Sequence, residues 1–280
     1  MYRYSTIFIF LCVLVSAANA QSFSMADSLF AAGDYELAAV EYERCVYQSE
    51  SRQATQQALR KKALCYKALN RYSRAAETQS RCTESYGDWL QLTLYSYMAA
   101  DFSGAATAAA NATMLCDTVG EDLMLLQMLA LNELTLYDSA RIVADKLAAH
   151  HLAATGDDIS SIVDSIYSRQ PSLKSEKLGW YLSFVPGLGH VYAGEVGLGL
   201  AAFAMNAAVL GFGVWQVFEG CYITAYMGGA GLLSVTYPGA MHSAAHYIKR
   251  TNYLRTSAFN NSLRQGIMDA MVKGDGHQGR

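Results

Sequence analysis

Pro186-Gly-Leu-Gly-His-Val-Tyr-Ala-Gly194 opens onto a stretch, Leu178 to Ile248, in which Glu195 and Glu219 are the only charged residues. Thirteen of the chain's 22 glycines fall in the same stretch. A run this apolar and this rich in Gly and Ala predicts helices packed inside a bilayer, where small residues let backbones approach and van der Waals contact replaces the hydrophobic drive. Three segments are legible. Leu178 to about Tyr192 is interrupted by Pro186, Gly187 and Gly189. Val196 to Phe218 makes a helix of roughly 34 Å, enough to span, and Cys221 to Met241 is similar. Ala207 with Gly211, and Ala225 with Gly229, place small residues four apart, the spacing of a close helix contact and also of a homo-oligomer seam. Asn206 is costly against lipid and is expected to face a neighbouring helix.

The totals agree. Hydrophobic residues make up 52% of the 280 and charged residues 16%, well below the roughly 25% charged residues of soluble proteins. A net charge of -3, with no basic stripe before residue 249, argues against a nucleic-acid partner. At the other end, Met1-Tyr-Arg3, the apolar core Ile7 to Val15 and Ala18-Asn-Ala20 predict a secretory signal peptide over 1–20, cleaved before Gln21. Cys12 has no small-residue lipobox before it, so no lipid anchor is expected.

Between the two lies an internal repeat. Tyr35-Glu-Leu-Ala38, Tyr72-Ser-Arg-Ala75, Phe102-Ser-Gly-Ala105 and Tyr137-Asp-Ser-Ala140 each set an aromatic three residues before an alanine, at spacings of 37, 30 and 35 residues. That period belongs to helix-turn-helix repeats. The alanine sits where two helices cross closely and the aromatic fills the groove beside it. Gly33 and Asn70 precede two of the aromatics, where the turn favours residues tolerant of positive φ. Helices are expected over 22–32, 35–49, 54–69, 72–85, 88–100, 102–115, 121–134 and 137–150. A further helix after Gly156, capped by Asp157, would bury Ile159, Ile162, Val163, Ile166 and Tyr167 and close the array.

Gly33-Asp-Tyr-Glu-Leu-Ala-Ala-Val-Glu-Tyr42 resembles the turn and second helix of the tetratricopeptide repeat, and Ala26 and Ala63 fall where that family has a small residue in its first helix. The proline that usually ends each repeat is missing. The resemblance covers about 145 residues and implies a curved array that binds a protein or peptide on the concave face lined by first helices. Tyr66, Lys67, Tyr95 and Tyr97 are the candidate partner-binding residues, with packing between helices as the alternative for each tyrosine.

Cys45, Cys65, Cys82 and Cys116 give the exported domain an even number of cysteines, either buried thiols or one or two disulfides, with Cys45–Cys65 the best-placed pair because their helices should be adjacent. No C-x-x-C pair suggests a redox or zinc site.

Pro186, Gly187, Gly189, Tyr192 and Gly194 match the Pro-Gly-x-Gly-x-x-Tyr-x-Gly signature of small bacterial membrane domains of the two-transmembrane type, which the segment resembles. Gly231 to Tyr247 is similar to the second half of such modules, departing at Tyr237-Pro-Gly-Ala240 and at Ile248, where that pattern has asparagine. Little function is attached to the family. Lys249, Arg250, Arg255 and Arg264 favour a cytoplasmic tail, which requires three crossings if the array is exported. Two crossings leave the tail outside, and the Pro-Gly-x-Gly break inclines the first segment to that re-entrant form. Residues 251–271 are expected to form an interfacial helix with Leu254, Phe259, Leu263 and Ile267, and the chain after Lys273 to be disordered.

His242 and His246 are four apart, and His190 shares their module, a remote metal or proton-relay candidate. His150-His151, beside Asp157-Asp158, reads as a solvated helix end. Gly187-x-Gly189 has no strand before it and no P-loop lysine, so it is not a phosphate loop. No catalytic residue and no cofactor is expected. The sequence thus predicts an all-α protein: signal peptide 1–20, a tetratricopeptide-like solenoid over 21–169, a linker at 170–177, a Gly/Ala-rich transmembrane module at 178–248 and a basic, partly disordered tail at 249–280. The expected role is a periplasmic scaffold anchored in a bacterial inner membrane and binding a protein partner. The alternative gives the membrane module the main role, as a helper in envelope protein insertion or export.

Overall fold

The computed structural model of the chain describes residues 23–275 apart from Asp117 and Asp157, with side chains up to residue 269. The expected signal peptide (1–20), the capping role given to Asp157 and residues 276–280 lie outside the described residues. Among the described residues all regular structure is helical and no strand occurs. The chain divides into two units. The first takes the described residues up to Tyr167 together with those from Gly266 onward, and the second is Ser168–Gln265.

The first unit begins with α1 (23–32), α2 (Tyr35–Gln48), α3 (Arg52–Ala68) and α4 (Tyr72–Ser80). It continues with α5 (Tyr86–Met98), α6 (Phe102–Leu115), α7 (Glu121–Glu133), α8 (Tyr137–Thr155) and α9 (Ser160–Tyr167). Helices α2 to α9 pack chiefly on their sequence neighbours, and α5 also meets α7. The core is accordingly a row of clusters. One joins Ala26, Ala38, Tyr42 and Cys65, the next Ala63, Ala75 and Tyr95, and another Ala109, Ala112 and Leu123. Tyr66 packs against the first two at once. Local clusters of this kind are how an array builds stability from neighbour to neighbour.

Four connections are copies of one turn. After α1, α3, α5 and α7 a single residue takes left-handed backbone: Gly33 (φ 86), Asn70 (φ 56), Ala100 (φ 60) and Thr135 (φ 59). The next amide then donates to the carbonyl five residues back, Asp34 to Leu29, Arg71 to Tyr66, Asp101 to Ser96 and Leu136 to Leu131, at 2.8–3.0 Å. This is the Schellman closure, which satisfies carbonyls the helix end leaves open. The next helix starts on the aromatic, and the alanine three residues on (Ala38, Ala75, Ala105, Ala140) is fully buried. Phe30 meets Tyr35 edge-on at 5.3 Å, and Tyr97 meets Phe102 in the same way at 5.4 Å.

A β-branched residue in left-handed backbone is strained. Thr135→Gly is therefore expected to raise the unfolding free energy by about 1 kcal/mol. Urea unfolding of the whole chain in detergent checks this, and a destabilised variant contradicts it.

Two boundaries differ from the sequence expectation by more than two residues. Helix α4 stops at Ser80 rather than 85, because Ser85 and Asp88 form a capping box that starts α5 at Tyr86, and Asp88 also takes the Glu84 amide. Helix α8 runs past residue 150 to Thr155 and ends at Gly156, whose φ is 83. Ile159, just before α9, is buried together with Val163 and Tyr167 of the helix, while Ile162 is exposed. Asp158 accepts the Ser160 amide at 2.8 Å, a side-chain bond of the N-cap kind at the start of α9. Gly266 sits against Ile166 of this helix.

The second unit holds α10 (Glu176–Leu182), α11 (Leu188–Ala193), α12 (Val196–Phe218), α13 (Tyr222–Thr224), a π-helical stretch Ala225–Gly231, and α14 (Leu232–Asp275) as far as Gln265. Among the described residues α12 is the one helix long and apolar enough to cross a membrane by length and composition. Only 22% of its most apolar window is buried, unlike the mostly buried core helix of a soluble protein. The expected second span, Cys221 to Met241, is divided among α13, the π-helical stretch and the start of α14, which runs through Pro238. The tail is likewise not a separate interfacial helix. It continues α14 through Lys273 to Asp275, with Leu254 exposed but Phe259, Leu263 and Ile267 buried.

The unit is built inside out. Large side chains such as Leu200, Phe203, Leu210 and Trp215 face outward, whereas Gly199, Ala202 and Asn206 are buried. Gly213 continues this line, and a Cβ added to Gly229 would lie 2.6 Å from its Cα. Within the chain, Ala207 and Gly211 do not form the close helix contact that their spacing suggests. Both are exposed, because the buried face of α12 runs through 199, 202, 206 and 213, while 207 and 211 lie off it. Asn206 does face a neighbour. Its Oδ1 accepts from Thr236 Oγ1 at 2.9 Å and its Nδ2 donates to the Ala202 carbonyl at 2.8 Å.

Residues 170–177 are not a free connector. The Lys174 amide donates to Asn252 Oδ1, and Asn252 Nδ2 returns a bond to the Lys174 carbonyl, each at 2.8 Å. Arg255 Nη1 holds the Ser172 carbonyl at 2.8 Å. The strap is thereby tied to α14.

Candidate functional site

A groove of about 730 Å³ in the first unit has α4 and α6 as walls and α5 as floor. Ser73, Ser80, Ser103 and Thr107 line it with small polar groups, and Trp89 and Leu92 form an apolar patch. Glu77 and Asp101 are its only charged side chains. Asp101 Oδ1 also accepts the Gly104 amide at 2.9 Å, capping α6. The walls are second helices of two pairs, so this opening is not the face lined by first helices. No sequence signal marked it, because its lining comes from three helices and contains no motif.

The four candidate binding residues are not gathered there. Tyr95 is 1% exposed in the second core cluster and cannot touch a partner without opening the array. Tyr97 packs on Phe102 in the repeated turn. Tyr66 is half-buried, with Lys62 Nζ 5.7 Å above its ring, and borders a crevice of about 220 Å³ with Arg74 and Arg81. Lys67 alone is freely exposed. All three tyrosines pack against neighbouring helices, Tyr95 fully and Tyr66 and Tyr97 with part of their surface exposed. None of Cys45, Cys65, Cys82, Cys116 and Cys221 is in a disulfide, so the proposed Cys45–Cys65 bridge is not formed. Burial pushes the Cys65 and Cys82 thiols up to about 11, which keeps them unreactive at neutral pH.

Two polar knots hold the first unit. Asp88, at the start of α5, receives both forks of Arg60 from α3, Nε at 2.7 Å and Nη2 at 2.8 Å. It also accepts the Ser85 amide at 3.0 Å, the Ser85 hydroxyl at 2.8 Å and Gln79 Nε2 at 3.3 Å. The second knot corrects the reading of His150 and His151 as a solvated end. Their Nδ1 atoms lie 3.1 and 3.0 Å from the two oxygens of Glu121, the first residue of α7, and His151 is 2% exposed. Burial pushes the Glu121 carboxyl up, but the hydrogen bonds from His151 and His150 outweigh it and hold the group below its usual range.

A depressed carboxyl stabilises above its unfolded pKa and loses that contribution as pH falls through the folded one. Glu121→Gln is expected to cost about 1 kcal/mol at neutral pH, with the gap to wild type closing below the ordinary glutamate range. A gap that stays constant down to about pH 3 contradicts the assignment.

In the second unit Gly187, Gly189, Tyr192 and Gly194 each have a structural role. Gly187 (φ 94) lies so close to Gly199 that a Cβ would stand 2.2 Å from the Gly199 carbonyl oxygen. A Cβ on Gly189 would meet Ser183 Oγ at 2.0 Å and the Ala244 methyl at 2.8 Å. Tyr192 accepts the Ser175 amide on its hydroxyl at 2.9 Å and the Lys174 ammonium on its carbonyl at 2.5 Å. Gly194 (φ 100) ends α11 after the Pro186 turn. His190 is buried with Nε2 3.1 Å from Ser243 Oγ, whereas His242 and His246 are exposed on another face of α14. Among the described residues no group of three His, Cys, Asp or Glu is placed to hold a metal.

The arrangement can bind and pack. Comparison with family models, curated proteins and solved structures finds no match to this chain. Among the described residues the fold is all-helical, with one helix suited to a bilayer.

Proposed function

We propose that this chain is a membrane-anchored adaptor: a tetratricopeptide-type array held in the periplasm at a bacterial inner membrane, binding a protein partner and acting without catalysis. The observation that carries the binding role is the open groove over α5, polar along its walls and bearing two carboxylates without a cation. It suits a partner segment that brings a Lys or Arg together with one apolar side chain for Trp89. The fourfold turn supports the repeat reading, since each copy sets a helix pair on its neighbour by the same hydrogen bonds. The apolar exterior of the second unit supports the anchor, because contiguous exposed patches of this kind are rare on soluble monomers.

Photocrosslinking in living cells tests the adaptor. A photoreactive residue at Ser103 in the groove should give a discrete protein adduct, and one at Tyr47, 92% exposed and outside the groove, should not. Equal adduct patterns at both positions would overturn the groove as the partner site. The alternative, a module acting in protein insertion or export, is separated by deleting the array up to Ser168. Full cellular function without the array would favour it.

A further inference from the structure

We propose that the second unit enters the bilayer as a two-crossing hairpin, with the strap at 172–176 and the basic part of α14 on one membrane face and the Glu219–Cys221 turn on the other. The inference rests on the anchor reading above and adds what that reading leaves open, the number of crossings and the side of the tail.

The first apolar segment does not cross. Its two helices, of seven and six residues, each reach about 10 Å, a third of a hydrocarbon core. Its beginning and end also meet, because Tyr192 takes the Ser175 amide and the Lys174 ammonium. The segment therefore returns to the face it left, and α12 starts on the strap side.

The second limb does cross, although its helix is divided. Gly213 and Gly229, in close backbone contact, lie eight residues either side of Cys221. Asn206 and Thr236, hydrogen-bonded at 2.9 Å, lie fifteen either side. Pairs symmetrical about one turn define two antiparallel limbs, so the returning chain follows α12 along its length. It arrives where the strap is: Thr251 Oγ1 donates to the Ala193 carbonyl at 3.1 Å, and Asn252 exchanges two bonds with Lys174. Between those ends Asn206 and Thr236 satisfy each other, which an apolar surround demands.

Charge marks the same two faces. Every Lys and Arg of residues 168–265 lies outside 178–248, while the far turn carries Glu219 alone, bonded to Trp215 Nε1 at 3.1 Å. Lys177, Lys249 and Arg250 are exposed at the strap end, where phosphate headgroups attract cations. Chain entry and exit on one face mean that a signal peptide exporting the array would carry the tail out with it. The cation bias by itself favours the cytoplasmic face.

Native Cys221 is exposed and reports the far turn. Lys177→Cys and Tyr253→Cys, both at exposed positions, report the strap side. The full chain in right-side-out and inverted inner-membrane vesicles is treated with a membrane-impermeant maleimide, and labelled peptides are mapped by mass spectrometry. The hairpin requires K177C and Y253C to label in the same vesicle orientation and Cys221 in the opposite one. Labelling of K177C and Y253C in opposite orientations means three crossings and overturns the hairpin while leaving the anchor. Labelling of all three in both orientations removes the anchor and the hairpin together. The orientation that labels the strap side reports separately on the periplasmic placement.

Discussion

Asp88→Ala is expected to lower the unfolding free energy by about 3 kcal/mol, the largest effect of any single polar substitution in the first unit. The carboxylate joins α3 to α5 through Arg60 and holds the α4–α5 connection through Ser85, Glu84 and Gln79. Its removal strands donors around a site that is 3% exposed. The Arg60 side chain is 42% exposed and can turn to water, so the loss falls at the low end of the range for a broken buried ion pair. Asp88→Asn keeps the shape and loses the charge, and about half the cost is expected. Burial raises the Asp88 carboxyl, but the bonds from Arg60 and Ser85 dominate and hold it well below the usual carboxylate range. Its stabilisation is thus complete above the unfolded value of about 4 and is lost as pH falls below it, so the wild-type advantage over Asp88→Asn narrows in acid. Urea unfolding of the whole chain in detergent, repeated across pH, measures both. A loss under about 1 kcal/mol for Asp88→Ala contradicts the knot.

Gly229→Val should separate the two limbs of the second unit. A Cβ there would stand 2.6 Å from the Gly213 Cα and 3.4 Å from its nitrogen, backbone that cannot rotate away. Overpacking of this kind costs about 1–3 kcal/mol, and here it also pulls Thr236 from Asn206. The expected result is a lower midpoint for thermal aggregation in detergent and faster proteolysis at the 219–221 turn. Gly211→Val is the control, since nothing lies within 4 Å of its added Cβ. Equal behaviour of the two variants contradicts the Gly213–Gly229 contact.

Periodic features were readable from sequence and isolated pairings were not. The aromatic–alanine repeat located the helix pairs because the same crossing recurs four times and leaves the same residues behind. Gly33 and Asn70 announced their turns; Ala100 and Thr135 make the same turn with residues that carry no such preference. Asp88 draws Arg60 from 28 positions upstream, and His151 finds Glu121 30 positions away, so neither knot leaves a local pattern. In the sequence the acids next after His150 and His151 are Asp157 and Asp158, not Glu121. The strap escaped likewise: a polar stretch next to Pro171 looks like a connector until Asn252, 78 residues on, is seen to hold it. Tyr95 shows the limit of composition, since a tyrosine suited to recognition is equally suited to a core.

The central claim is that lipid, and not water, covers α12 and its returning partner. Alkaline carbonate extraction of membranes carrying the full chain tests it most directly. The account predicts that the protein stays in the membrane pellet and is released by detergent, while a chain lacking residues 178–248 moves to the supernatant. Recovery of the full-length chain as a soluble monomer without detergent would contradict it.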